Sequence, residues 1–248
     1  MKDHSDALLV ESMVRHAPRT AAVVPAAGRG VRMGGSTPKQ FLTLGGLPIL
    51  VHALRVLEES AAVTDIILTV PSADREYCLN EVVARYKFHK IIKVVPGGEQ
   101  RQDSVRHGLA EVDQDVDIVI VHDAVRPFLT ADMVARVVHA AVQQGAAIVA
   151  IPMRDTIKRV GADGLIEATV DRNHLWLAQT PQAFQRTLLQ TAHRKAHIAH
   201  YQATDDAQLM EWLGHRVAVV EGSGENIKIT RPEDLGIGEA ILAARETR

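Results

Sequence analysis

The sequence predicts an α/β fold: a single Rossmann-like domain with a mostly parallel sheet flanked by helices, plus a projecting β-hairpin arm. Two observations support this prediction. Short apolar, β-branched runs alternate with stretches of helical periodicity, as is typical of parallel strands buried on both faces. A segment of alternating polar and apolar residues then interrupts the series, as a hairpin does. The predicted strands are 21–25, 65–70, 90–95, 117–121 and 146–151.

The stretches between these strands predict crossover helices, which connect parallel neighbours in a sheet. Ligands of open α/β sheets bind at the carboxyl ends of the strands. We therefore expect the loops 28–39, 97–104 and 122–126 to meet at one edge. The predicted crossover helices are 48–60, 73–86, 102–111 and 130–144.

The segment 152–176 carries the hairpin signal, with alternating residues on either side of the turn 161–164, which begins and ends in glycine. A hairpin inserted into a βα series has no partner in the main sheet. We expect it to project as an arm and to pack on another subunit, which makes a site shared by two subunits plausible.

The remaining segments complete the same domain. With 248 residues and 46% hydrophobic content, the chain is long enough for one sizeable core. We predict one domain over 20–248 and a flexible N-terminal extension over 1–19. The later predicted helices are 181–196, 205–213 and 232–244, and the later predicted strands are 216–221 and 227–230.

Composition and charge exclude several classes of protein. A net charge of −2 and a pI near 6.6 provide no general attraction to nucleic acid or to an anionic membrane, so we expect neither partner. No stretch approaches the ~20 apolar residues of a membrane span, and the apolar run 7–10 is too short for a signal peptide. The single cysteine, Cys78, fits a packing role in a reducing compartment. These features predict a cytoplasmic enzyme.

The glycine-rich loop 25–34 is typical of a polyphosphate site. Its glycines let backbone N–H groups approach phosphate oxygens, and Arg32 and Lys39 add positive charge. The spacing is not that of a P-loop, because Lys39 does not follow a glycine directly. It is not the dinucleotide fingerprint either, because Met33 stands in place of the third glycine. An ordinary surface loop is the alternative.

Asp123 follows the apolar strand 117–121 and could hold a divalent cation beside a nucleoside triphosphate. The alternatives are a helix cap or an ion pair with Arg126. Glu225 is a weaker candidate for a second carboxylate, and a solvated loop acid is the favoured interpretation of it.

Two further patterns each allow two interpretations. The segment 97–104 enters a helix after an apolar strand, so its backbone and the Ser104 hydroxyl could hold a base edge, or could simply cap the helix. His193, His197 and His200 recur at helical spacing and could suggest a metal site. They lack the HExxH order, and we favour a solvated helix face over zinc.

Seven motifs stand in order along the chain: AAGRGVRM at 26–33, PKQ at 38–40, GGEQR at 97–101, HDAVRP at 122–127, DRN at 171–173, QTPQ at 179–182 and NIKITRPEDL at 226–235. In this order they closely resemble the 2-C-methyl-D-erythritol 4-phosphate cytidylyltransferase family, over about 21–242. The resemblance implies a nucleotidyltransferase that moves a cytidylyl group from CTP to a polyol phosphate, 2-C-methyl-D-erythritol 4-phosphate, and releases pyrophosphate in isoprenoid precursor biosynthesis. It also implies Mg²⁺ or another divalent cation, and a homodimer formed through the arm 152–176.

For the nucleotide, the resemblance implies that Arg32 and Lys39 are catalytic residues that contact the triphosphate. Gly28 and Asp123 would lie near the ribose and the metal, with Asp123 as the metal ligand. The residues that would hold cytosine are Ala26, Ala27, Gly98, Glu99 and Ser104.

For the acceptor, the resemblance implies that Thr156 and Arg172 of the neighbouring subunit bind the substrate phosphate. Thr180 and Lys228 would position the acceptor near CTP, and Arg172 and Lys228 would be catalytic.

Two alternatives to this assignment remain. A pentitol-phosphate cytidylyltransferase, for example one that uses ribitol phosphate, is similar in the glycine loop and in two other motifs, but the arm segments 155–158 and 169–176 favour the methylerythritol enzymes. A catalytically silent nucleotide-binding regulator would require the loss of Arg32, Lys39 or Asp123, and all three are present.

Overall fold

The structure, a computed structural model, describes residues 18–28 and 38–247. Its centre is a seven-stranded sheet, whose strands lie in the order β11 (Ala218–Glu221), β7 (Ala146–Pro152), β10 (Trp176–Gln185), β6 (Ile118–Val121), β1 (Thr20–Pro25), β4 (Asp65–Val70) and β5 (Ile91–Pro96). Neighbouring strands are parallel except around β10, which is antiparallel to both β6 and β7. The predicted α/β architecture with a mostly parallel sheet is therefore confirmed.

The strands and helices of this domain alternate as the sequence predicts. The strands of the main sheet are β1 (Thr20–Pro25), β4 (Asp65–Val70), β5 (Ile91–Pro96), β6 (Ile118–Val121), β7 (Ala146–Pro152), β10 (Trp176–Gln185) and β11 (Ala218–Glu221). Two small hairpins contain β2 (Thr43–Leu44) with β3 (Leu47–Pro48), and β8 (Ile157–Val160) with β9 (Ile166–Val170). The helices are α1 (Ile49–Glu59), α2 (Arg101–Ala110), α3 (Ala131–Gln144), α4 (Arg186–Ile198), α5 (Asp206–Trp212) and α6 (Pro232–Glu246).

Helices cover both faces of the sheet because successive strand residues point to opposite sides. In β1, Ala22 and Val24 pack in the core under α1 and α3, whereas Ala21 and Val23 pack in the core under α2, α4 and α5. This explains why the strand sequence is apolar throughout rather than alternating. A smaller cluster around Phe128 joins the start of α1 to α6.

Helix boundaries follow local signals. At the start of α3, the Thr130 side chain accepts a hydrogen bond from the Met133 N–H, at 3.2 Å. At its end, Gly145 adopts a φ of 86°, a left-handed conformation that glycine takes without strain. Asp205 caps α5 in the same way, accepting from the Gln208 N–H at 2.9 Å.

Three predicted elements differ in the structure. The predicted helix over 181–196 begins only at Arg186, because 182–185 pair as an interior strand with both β6 and β7, and Phe184 is fully buried there. The predicted strand 227–230 makes no ladder; Ile229 donates one hydrogen bond to the Val125 carbonyl, at 2.9 Å. The predicted helix 73–86 is divided into a 3₁₀ turn, a short α turn and a π-helix that ends at Ala84.

Cys78 lies in that irregular helical segment and is completely buried. Burial raises the pKa of its thiol to about 12. The packing role predicted for this cysteine agrees with both observations.

The predicted hairpin is present as β8 and β9, which form a two-stranded sheet of their own. Its side chains are largely exposed, including Leu165 and Ile166 at the turn, which are 68% and 63% exposed. We call 152–176 the arm below. Among the described residues, no helix is long and apolar enough to cross a membrane.

Candidate active site

A cavity of about 230 Å³ opens at the carboxyl ends of β1, β5 and β6. The three loops expected at this edge all contribute to its wall, as predicted from their positions after the carboxyl ends of strands. Every predicted nucleotide-binding residue within the described ranges lines it. These are Ala26, Ala27, Gly28, Lys39, Gly98, Glu99, Ser104 and Asp123, and Lys228 joins them from the loop before α6.

Gln40 bonds to Ala26, the residue that directly follows β1. Its side-chain amide donates to the Ala26 carbonyl at 2.6 Å, and the residue is 1% exposed. The neighbouring Lys39 lines the cavity. Arg32 and the rest of the segment 29–37 lie outside the described residues, so the contact predicted for Arg32 stays a prediction.

The turn before α2 is narrow because two glycines form it. A Cβ on Gly97 would collide with Cβ of Ala27 and lie 2.8 Å from Oγ of Ser104, and a Cβ on Gly98 would collide with Asp103. The Ser104 hydroxyl accepts from the Gly98 N–H and donates to the Gln100 carbonyl, both at 3.1 Å. The hydroxyl therefore holds the glycine turn against α2, but no side chain caps the first turn of this helix, so the capping interpretation is not confirmed. Gly98 and Ser104 also line the cavity.

Asp123 lies at the centre of a cluster of charges. Its Oδ1 accepts from Nε of Arg101 at 2.8 Å, its Oδ2 lies 2.7 Å from Nζ of Lys228, and Nε of Arg126 is 4.0 Å from the same oxygen. Burial alone would raise the pKa of this carboxyl, but the charges of Arg101 and Lys228 outweigh it and hold the pKa well below its usual range. Asp123 is therefore an anion that faces the cavity.

His122 and Thr180 hold the backbone of Asp123 in place. The Asp123 N–H donates to the Thr180 hydroxyl at 3.0 Å, and that hydroxyl lies 3.1 Å from Nδ1 of His122. His122 Nε2 lies 3.1 Å from the Arg126 carbonyl, which can only accept, so Nε2 carries the hydrogen and Nδ1 accepts from Thr180. Burial is the largest cause that lowers the pKa of His122, to about 4, so the ring is neutral at pH 7.

A second cavity of about 210 Å³ adjoins the first and shares Arg101, Asp123 and Lys228 with it. Thr180 and Arg126 also line this cavity. Arg126 is fixed there by a 2.8 Å bond from its Nη1 to the Asn226 carbonyl. The Asp123 to Lys228 pair thus lies where the two cavities meet.

The two predicted arm residues lie elsewhere. In the described part of the chain, neither Thr156 nor Arg172 lines either cavity, and both are exposed. The Arg172 guanidinium donates to the Arg154 carbonyl within the arm. The shared-site hypothesis expects them to reach the site of a neighbouring subunit rather than their own. Their roles toward the substrate phosphate stay predictions.

The structure corrects the interpretation of His193. The predicted solvated helix face is wrong for this residue, which is 2% exposed and lies 2.8 Å from Asp206 through Nε2. His197 and His200 are exposed as predicted. Glu225 is also not a freely solvated acid, because its Oε2 accepts from Nε of Arg245 at 3.0 Å.

Sequence reasoning assigned no role to Arg101, Gln40 or Asp206, and it considered Arg126 only as an ion-pair partner of Asp123. A signal was present for Arg101 and Gln40, because both stand within the motifs GGEQR and PKQ. No local pattern marked Asp206, which reaches the site only through the fold.

A family model described as 2-C-methyl-D-erythritol 4-phosphate cytidylyltransferase matches residues 20–244. A protein of that name from Pelotomaculum thermopropionicum is 50% identical over 230 residues, which is 93% of this chain and 97% of the relative. Another from Syntrophus aciditrophicus is 48% identical over 231 residues, 93% of this chain and 99% of the relative.

Solved structures agree with these sequence matches. A 4-diphosphocytidyl-2C-methyl-D-erythritol synthase from Anaerococcus prevotii superposes with a TM-score of 0.80 at 30% identity, covering 92% of this chain and 100% of that one. A 2-C-methyl-D-erythritol 4-phosphate cytidylyltransferase from Thermus thermophilus superposes with a TM-score of 0.75 at 33% identity, covering 91% and 99%.

Proposed function

The chain belongs to the 2-C-methyl-D-erythritol 4-phosphate cytidylyltransferase family, and we propose that its two joined cavities are where CTP and the acceptor meet. The enzyme transfers a cytidylyl group from CTP to 2-C-methyl-D-erythritol 4-phosphate, yielding 4-diphosphocytidyl-2-C-methyl-D-erythritol and pyrophosphate. The observation that supports the assignment of the site is the position of Asp123 and Lys228, which line both cavities at once.

The chemistry is an in-line displacement at phosphorus. A phosphate oxygen of the acceptor attacks the α-phosphorus of CTP, the new P–O bond forms as the bond to the β-phosphate bridging oxygen breaks, and pyrophosphate leaves. The nucleophile is already an anion, so the protein needs no general base. Its task is to align two phosphates that repel each other and to neutralise the charge that gathers between them.

We assign CTP to the cavity of about 230 Å³. The narrow glycine turn at 97–98 offers backbone groups to the cytosine edge, and Ala26 and Ala27 leave room for the ring. Lys39 at the rim would contact the triphosphate together with Arg32, as the family resemblance implies. Gly28 and Asp123 would lie beside the ribose.

The acceptor is assigned to the cavity of about 210 Å³, which Thr180, Arg126 and Lys228 line. The Thr180 hydroxyl accepts from the Asp123 N–H and donates to Nδ1 of His122. These two bonds fix its position, and from that position it would orient the acceptor. Thr156 and Arg172 would reach the acceptor phosphate from the arm of a second subunit. A homodimer formed through 152–176 is part of this proposal.

A divalent cation, such as Mg²⁺, fits one side of the CTP cavity. In the described part of the chain, no group of three or more His, Cys, Asp and Glu side chains could cage a metal. Mg²⁺ needs no such cage, because it commonly binds one or two carboxylates together with substrate phosphates and water. Asp123 supplies one ionised carboxylate there, and the cation when bound would neutralise phosphate charge.

Pyrophosphate release tests the function directly. The purified protein is incubated with CTP and Mg²⁺, in parallel with methylerythritol phosphate, ribitol phosphate and no acceptor. We expect release only with methylerythritol phosphate. Release only with ribitol phosphate would support cytidylyl transfer but refute methylerythritol phosphate as the acceptor. No release with either acceptor would refute the proposed function.

Binding measurements test the assignment of the cavities separately. Calorimetry with CTP should give heat of binding for the wild type and a weaker Kd for Gly98→Ala, whose Cβ would collide with Asp103. Gly236→Ala on α6 is the control outside this cavity, because an added Cβ there meets no described atom within 4 Å, and its CTP affinity should match the wild type. Equal affinities in all three proteins would place the nucleotide elsewhere.

A further inference from the structure

The buried pair His193 and Asp206 has no part in the reaction described above, although it touches the site. His193 lies in the middle of α4 and Asp206 begins α5, and they are 2% and 1% exposed. Nε2 of His193 lies 2.8 Å from Oδ1 of Asp206. Nδ1 of His193 is buried and has no hydrogen-bond partner among the described residues. The carboxylate can only accept, so Nε2 carries the hydrogen and donates it to Asp206. The unpaired Nδ1 is then an acceptor without a hydrogen.

The other oxygen of Asp206 faces the site. Its Oδ2 accepts from Nη1 of Arg101 at 2.7 Å, and Nε of the same guanidinium donates to Oδ1 of Asp123 at 2.8 Å. The bonds thus run in one line from His193 through Asp206 and Arg101 to Asp123, whose remaining oxygen faces Lys228 at 2.7 Å.

Asp206 also sets the charge at the site. Burial alone would raise the pKa of Asp206, but the charge of Arg101 and the hydrogen bond from His193 lower it, so this carboxylate is ionised. Together with Asp206, the side chains of Asp123, Arg101, Arg126 and Lys228 carry a net charge of +1; without it they would carry +2. Arg101 would then have Asp123 as its only anionic partner among the described residues.

We propose that Asp206, held by His193, is a positioning residue for cytidylyl transfer: it fixes the Arg101 guanidinium, which in turn fixes the carboxylate of Asp123. The inference rests on the proposed site of Asp123 and Lys228. A buried charged pair of this kind adds little net stability, because desolvation offsets the attraction. It does restrict geometry, since a guanidinium bonded through two different nitrogens to two carboxylates has one orientation.

Four variants separate positioning from mere packing. His193→Leu removes the donor to Asp206, and Asp206→Asn keeps the volume but removes the charge that Arg101 needs. His193→Gln is the conservative variant, because its side-chain amide can donate to Asp206 from a similar place. His197→Leu is the matched control, a histidine one turn further along α4 with an exposed side chain.

The first readout is the side-chain Nε–H signal of Arg101 in ¹⁵N–¹H spectra of the protein without nucleotide or metal, assigned with Arg101→Lys. The signal should move in His193→Leu and Asp206→Asn and stay in place in His193→Gln and His197→Leu. The second readout is steady-state kinetics. We expect kcat to fall about 10- to 100-fold in the first two variants, the range typical of groups that orient a ligating side chain. The KM for CTP should change much less.

Two results would overturn the inference. One is an unchanged Arg101 signal and unchanged kcat in both His193→Leu and Asp206→Asn, with only the melting temperature lowered. The other is a His193→Gln variant as impaired in kcat as His193→Leu. If His193→Leu does not fold, Asp206→Asn alone supplies the test. The spectra need no substrate, so they test the bonds from His193 to Asp123 independently of the reaction. If the Arg101 signal shifts in the variants as expected but the wild type transfers no cytidylyl group, the proposed function is refuted and the bonding of Arg101 by Asp206 is not.

Discussion

Replacing Lys228 by methionine should separate catalysis from stability. The ammonium of Lys228 lies 2.7 Å from Oδ2 of Asp123 and lines both cavities, at the point where charge gathers in the transition state. Methionine keeps most of the length of the side chain and removes only the charge. Asp123 retains its 2.8 Å bond from Arg101, so it is not left as an unpaired buried anion.

The expected loss of folding stability is smaller than the expected loss of transition-state stabilisation, and the two can be measured separately. The Lys228 side chain is 36% exposed, so solvent screens its ion pair, and the loss of stability should be about 1 kcal/mol. For a domain of this size, that corresponds to a fall in Tm of about 2–4 °C. Loss of one preorganised electrostatic group in the transition state costs about 3–4 kcal/mol, or about 10²- to 10³-fold in kcat.

The assay is continuous pyrophosphate release at saturating CTP and acceptor, with thermal unfolding measured on the same samples. Lys195→Met, which alters an exposed lysine on α4, is the matched control and should leave both quantities near the wild-type values. A kcat for Lys228→Met within about threefold of the wild type would refute the reasoning. It would mean that the ammonium of Lys228 stabilises the transition state no more than it stabilises the bound substrates. A fall in Tm of tens of degrees would show instead that Lys228 acts through the fold.

Three further predictions concern other parts of the molecule. Arg32→Ala and Lys39→Ala should each lower kcat about 10²- to 10³-fold, and near-wild-type turnover in either would remove it from the triphosphate site. Arg172→Ala should be inactive alone but regain activity in mixed dimers with Lys228→Met, since one composite site then carries both native groups; no recovery would contradict the shared site. The pKa of His122 is about 4 when folded and 6.5 as a free side chain, so the unfolded chain alone binds a proton between these values. The free energy of unfolding of the metal-free protein should therefore fall as the pH drops from 6.5 to 4, by about 1.4 kcal/mol per unit, and His122→Asn should flatten the slope; an equal slope in both proteins would refute the assignment.

Much of the fold could be predicted because its signals are local. The two faces of a parallel strand are both buried, so β1 is apolar throughout, and its bounds could be predicted to within one residue. The meeting of three loops at one edge also followed from their positions after the carboxyl ends of predicted strands. Most of the predicted nucleotide-binding residues therefore line one cavity, although they are distributed from Ala26 to Asp123 in the chain.

The elements that were predicted wrongly are decided by neighbouring segments of the fold rather than by the local hydrophobic periodicity. Residues 182–185 resemble the start of a helix, yet they form an interior strand because both β6 and β7 offer them a ladder of hydrogen bonds. A local pattern contains no information about such neighbours. The irregular segment 72–84 and the loop at 227–230 also deviated from their local signals.

The sequence by itself determined the fold class and, through the motifs that resemble the family, the family and many of the residues that line the proposed CTP cavity, because local patterns and short motifs express them. Only the tertiary structure decided which charges neutralise one another. Arg101 and Asp206 are separated by 105 positions in the chain, and His193 lies on a helix whose histidine spacing suggested solvent. Burial restricts the geometry of such contacts, and burial depends on how helices pack on the sheet, which no single segment encodes.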